Sequence, residues 1–140
     1  MTAPQAAAPL ARNIRLIHAA MVTGVLLFAV VGHFVLRPAM ANSGDLPPIM
    51  LGTLLGVALG ACALSLVLRR RVPQRSSDES VNLYWTTAAT PALLTWAALD
   101  GASLLAIFLY ALTGAQATIA VAVIAVLLFV ALNPAYLERR

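Results

Sequence analysis

Few side chains in this sequence could do chemistry, and one of them stands where its surroundings make it costly. Asp100 is the single charged residue between Thr95 and Tyr110. A carboxyl group so placed can exchange a proton, hold a cation or act as a hydrogen-bonded structural acid. On a helix, Trp96 at i−4 and Ser103 at i+3 would share its face. His18 and His33 lie near the two ends of another apolar run, and Cys62 is the sole cysteine. A lone thiol forms no intramolecular disulfide and no thiolate metal site, so Cys62 is expected to serve packing. GxSxG, HExxH, CxxCH and P-loop lysine patterns are absent. The chain therefore reads as a non-enzyme with no cofactor, no metal and no evident soluble small-molecule substrate.

What surrounds Asp100 decides how it behaves. The 140 residues are 61% hydrophobic and only 10% charged, and the mean hydropathy is +0.90. Soluble domains are roughly 45–50% apolar and about 25% charged. So little polar surface cannot cover a soluble globule, which leaves lipid as the solvent. A helix needs about 20 mostly apolar residues to cross the hydrocarbon core. Residues 16–36, 49–68, 88–112 and 117–132 meet or approach that length. The last is rich in β-branched residues, but a long apolar run beside three spans favours a helix over a strand. The expected fold is an all-α integral membrane protein, with four transmembrane helices forming an antiparallel bundle of two hairpins. Residues 1–11, rich in Ala and Pro, read as a flexible tail, and 12–140 as one transmembrane domain. Arg12 and Arg15 before the first run suggest a signal peptide, but the run is too long and ends in Arg37-Pro38, so it reads as a retained anchor.

The cations set the orientation. All nine are Arg. Arg12, Arg15, Arg69, Arg70, Arg71, Arg75, Arg139 and Arg140 fall on one side of the expected bundle, and only Arg37 on the other. By the positive-inside rule both termini are cytoplasmic, in a multi-pass protein of a bacterial-type plasma (inner) membrane. The net charge of +4 is then a topology signal. Nucleic acid would need a clustered basic face on a soluble element, and none is present.

The connections have their own signals. The turn formers from Arg37 to Pro48 read as an outward loop. Within the segment from Arg69 to about Thr87, Ser77 and Ser80 are both candidate N-caps for a short surface helix, and Tyr84 and Trp85 suit the interface. Thr113-Gly114-Ala115-Gln116 is tight enough to make spans three and four an antiparallel hairpin. Asn133-Pro134 closes the last span.

Two features inside the spans bear on function. Gly52, Gly56 and Gly60 form GxxxGxxxG along one face of span two, a surface that lets another backbone approach closely. Glycine is also common in membrane helices without such a role. Asp100 lies within about one turn of the middle of span three. Ionised there, it would cost about 2.5–3.5 kcal/mol or more. It is therefore expected either to stay protonated or to find a buried partner. His33 is expected roughly 10 Å or more away in depth, too far for an ion pair.

The sequence Trp96-Ala97-Ala98-Leu99-Asp100-Gly101, followed by Leu104-Leu105-Ala106, resembles the carboxylate-bearing helix of rotary ATP synthase c subunits, the proteolipids. A glycine-patterned preceding helix, here Gly52, Gly56 and Gly60, and a loop with Arg, Pro and Gln, here Arg71-Val72-Pro73-Gln74, are similar to theirs. The resemblance covers spans two and three only. It implies that Asp100 is a proton-binding carboxylate and that the glycines pack neighbouring subunits.

Two readings follow. One is an accessory or interaction subunit whose glycine face packs into a larger membrane complex or a homo-oligomer. The other is a proton- or ion-binding protein using Asp100, with Ser103 and His33 as secondary polar groups. The partners in either case are the bilayer and other membrane subunits or further copies of the chain.

Overall fold

The computed structural model describes residues 10–40 and 46–139, and among these every regular element is helical. Most of the expected N-terminal tail, residues 41–45 of the first connection, and Arg140 lie outside the described residues. The helices are α1 (Leu10–Met40), α2 (Pro48–Arg69), α3 (Val81–Thr113), α4 (Gln116–Ala131) and the short α5 (Pro134–Glu138). The first three are long and apolar enough to cross a membrane; α4 is apolar but shorter.

Helix α1 runs further than the turn formers after Arg37 suggest. A π-helical turn, Gly32–Leu36, interrupts it, and the Arg37 N–H bonds to the Gly32 carbonyl five residues back. Pro38 has no N–H to give and its ring crowds the preceding turn. A widened turn just before it lets the helix pass through proline without breaking. At the same level Gly32 is buried against α3, where an added Cβ would stand 3.0 Å from the Ile107 Cγ2. Glycine there sets how closely the two helices approach.

Proline also opens α2, with Pro48 in the first turn where its missing N–H costs nothing. Ser80 caps α3 by accepting from the Leu83 N–H at 3.3 Å. The expected short surface helix is therefore not a separate element: it is the first turns of one 33-residue helix. Pro91 sits inside α3, and the nearby Thr95 hydroxyl donates to its carbonyl at 2.8 Å. Gly114 ends the helix at φ +67°, a left-handed turn that glycine adopts without strain, and reverses the chain into α4. Asn133 breaks α4 and caps α5 by accepting from the Tyr136 N–H at 2.9 Å.

Helix α3 is the hub. Half of its most apolar stretch is buried, against 17% for α2 and 11% for α1. Helices α1, α2 and α4 all pack on it, whereas α1 and α2 barely touch. This differs from two side-by-side hairpins. The reason lies in the faces: α3 carries small residues (Ala88, Ala92, Ala102, Ser103, Ala106) interleaved with Trp85, Trp96 and Leu99, all buried. Small residues admit close backbones on several sides, and the large ones fill what remains. Helix α2 turns Ala58, Cys62 and Ser65 to α3, so Cys62 is a packing residue.

Candidate functional site

The arginine-rich termini and the α2–α3 connection meet at one end of the bundle. There the Glu138 carboxylate takes both Arg15 (2.6 and 3.2 Å) and the Trp85 indole N–H (2.9 Å). The Tyr84 hydroxyl donates to the Leu137 carbonyl at 3.3 Å. Arg69 lies over the Tyr136 ring and donates to its hydroxyl. These contacts hold α5 across the base of α1 and α3.

One level above, two side chains finish α4. A helix leaves its last four carbonyls without intrahelical donors, and inside lipid each needs another. The His18 Nε2 meets the Phe129 carbonyl at 3.1 Å, and the Trp96 indole donates to the Leu132 carbonyl at 2.7 Å. A carbonyl only accepts, which assigns the His18 hydrogen to Nε2. His18 stands edge-on to Trp96 and Phe129, with ring centroids 4.8 and 5.2 Å away. It is buried among α1, α3 and α4.

At the opposite end, Arg37 covers the Tyr110 ring, its guanidinium carbon 4.7 Å from the centroid, and donates to the hydroxyl. The His33 Nδ1 lies 2.9 Å from the same hydroxyl, and its ring is nearly parallel to the phenol. Gly114 is the roof. A Cβ on it would fall 2.9 Å from an Arg37 guanidinium nitrogen. Below this cluster a lateral groove of about 460 Å³ runs between α1 and α4, floored by Ile107 and lined by Leu26, Ala29, Ala122 and Val126.

Asp100 lies midway between these ends, almost equidistant along α3 from Trp85 and Gly114. It is half-buried, and no hydrogen bond reaches it among the described residues. Ser103 turns inward and donates to the Leu99 carbonyl at 2.7 Å; Trp96 is committed to Leu132, and His33 to Tyr110. Ser103, Trp96 and His33 thus bond elsewhere, and none of them bonds to Asp100. Asp100 shares the face of Trp96 and Ile107, both of which touch α1.

Gly52, Gly56 and Gly60 are exposed, and nothing in this chain comes within 4 Å of a Cβ built on any of them. They point away from α3, so the glycine face and Asp100 do not converge. Among the described residues, no group of three His, Cys, Asp or Glu side chains is placed to hold a metal ion.

The class defined by this architecture is a helical membrane protein with three long apolar helices, one of which, α3, is the hub for the other two and for the shorter α4. No known family, curated protein or solved structure matches the chain.

Proposed function

We propose that the protein is a non-enzymatic subunit of a membrane assembly, docking a further transmembrane helix on the Gly52–Gly56–Gly60 face of α2. The observation that carries this reading is the exposure of three aligned glycines on the side of α2 opposite its own bundle. Without a hydrophobic drive between helices in lipid, close backbone packing on small residues is a principal source of association. The docked helix belongs either to a larger complex or to another copy of the chain. In the bilayer the chain makes four passes with both termini cytoplasmic, in a bacterial-type inner membrane. Helix α4, about 24 Å long at the helical rise, is short of the roughly 30 Å core. The His18 and Trp96 donors let it end below the boundary. Cross-linking through Gly56→Cys in a Cys62→Ala background, in native membranes, tests the reading. A homodimer or an adduct with one larger subunit supports it, and an unlinked chain at full thiol accessibility rejects it.

A second reading, proton or ion binding at Asp100, is favoured by a mid-depth carboxyl with no hydrogen-bond partner among the described residues. A protonated acid in an apolar site reacts with a hydrophobic carbodiimide, and Asp100→Asn should abolish the adduct. A carboxylate band in the infrared spectrum at neutral pH that Asp100→Asn removes would rule out the neutral acid.

A further inference from the structure

The groove between α1 and α4 ends in a group of fixed hydrogen-bond donors. Its walls are aliphatic from Leu26 up to the level of Gly32, where Ile107 meets α1, a length of about 9 Å along α1. At its mouth stand His33 and Tyr110, with Arg37 laid across the phenol. Arg37 can only donate, so the Tyr110 oxygen accepts from it, and we assign the phenolic proton to the His33 Nδ1. That leaves the imidazole hydrogen on Nε2. An imidazole that lines the apolar slot and a guanidinium laid over the neighbouring phenol thus put N–H donors at its mouth. Arg37 is also held in place, by the ring beneath it and by Gly114 above it.

An apolar trough capped by a cation and a second donor matches an amphiphile with an anionic head. We propose that this groove binds one anionic phospholipid, an acyl chain lying between α1 and α4 and the phosphate resting on Arg37 and the His33 N–H. Charge complementarity favours this occupant. The charge fixed at the mouth is that of Arg37, held over Tyr110; the effect of Asp45, the one carboxylate in the same connection, is separated from it by the test below. A zwitterionic lipid would bring its own cation beside the guanidinium, so an anionic head is preferred. In the orientation proposed above the site lies in the outer leaflet, but binding does not depend on which leaflet that is.

Native mass spectrometry of the full chain in mild detergent, with phosphatidylglycerol or phosphatidylcholine of matched chains, tests this. The expected result is one retained phosphatidylglycerol, with phosphatidylcholine held several-fold less. Arg37→Gln should weaken retention about fivefold, the order of one arginine's attraction for an anionic lipid surface. Ala122→Leu, which narrows the slot and leaves the mouth intact, should weaken both lipids alike. Folded helix content in each variant is checked by circular dichroism. Equal retention of the two lipids, or undiminished phosphatidylglycerol binding by a folded Arg37→Gln variant, overturns the proposal. Asp45→Asn should change retention less than twofold. A fivefold rise would mean that Asp45 occupies the guanidinium, and would also overturn it.

Discussion

The Glu138 carboxylate holds the Arg15 guanidinium at 2.6 Å across 123 residues of chain, and takes the Trp85 indole hydrogen on its other oxygen. The two bonds are not equivalent. Arg15 is half-exposed, whereas Trp85 is wholly buried.

Replacing Glu138 separates the two contributions. Glu138→Gln removes the ion pair but keeps an acceptor for Trp85. With the Arg15 end half in solvent the pair is worth about 1 kcal/mol or less, so only a small fall in thermal midpoint is expected. Glu138→Ala also leaves the indole N–H without a partner, a cost of about 1–3 kcal/mol. Thermal unfolding in detergent micelles should rank the variants Ala well below Gln. Equal midpoints would show that Trp85 does not rely on this bond.

Trp96→Phe tests the finishing of α4. Phenylalanine preserves most of the packing and deletes the donor to the Leu132 carbonyl. An orphaned buried carbonyl costs about 1–3 kcal/mol. The expected signature is a lower unfolding midpoint with faster amide exchange confined to residues 128–137. Uniform exchange across all helices, or no change in stability, would count against the capping role.

Gly56→Leu should leave the isolated protein about as stable as before, since Gly56 is exposed and a Cβ added there meets nothing in the chain within 4 Å. Association in membranes should nevertheless be lost, measured by proximity cross-linking. Leu55→Ala behaves differently. Leu55 packs against Ala58, Ala106 and Val121, so its truncation should lower stability without abolishing association. Val57→Leu, on exposed surface, is the neutral control. Unchanged association in Gly56→Leu would mean that this face looks onto lipid alone.

Membrane orientation can be read with single cysteines at Ser43 and Ser76 in a Cys62→Ala background. An impermeant thiol reagent should label the Ser43 site in intact cells and the Ser76 site only after lysis. The reverse pattern would invert the proposed topology.

Much of the skeleton is legible in the sequence. The apolar runs, the tight turn at Gly114 and the Asn133 break all follow from local preferences, which neighbouring residues set; the cap of α3 is narrowed only to Ser77 or Ser80, and it is Ser80. The facing of the helices was not legible. Helix α2 carries small residues on two sides, Ala58, Cys62 and Ser65 on one and the glycines on the other, so composition alone does not say which side is buried. The hydrogen bond of Ser103 was not legible either: i, i+3 spacing puts it on the face of Asp100, but its hydroxyl is satisfied by the carbonyl one turn below it. The Arg37–Tyr110–His33 cluster joins elements more than 70 residues apart. The one hint was Tyr110 a single turn before a helix-ending glycine, which places a phenol at a boundary. The continuation of α1 through Pro38 was hidden because proline reads locally as a stop, and only the widened turn before it removes the conflict.

The near absence of contact between α1 and α2 has a consequence for biogenesis. Chains are made from the N-terminus, and each needs its packing surfaces in order of synthesis. Here the first two helices emerge with no partner in each other, and both wait for α3. They enter the bilayer as independent passengers, held by their own hydrophobicity, and the bundle condenses late around the third. A chain that ended just before Val81 and was released would therefore leave two separate, unassembled helices in the membrane rather than a folded half.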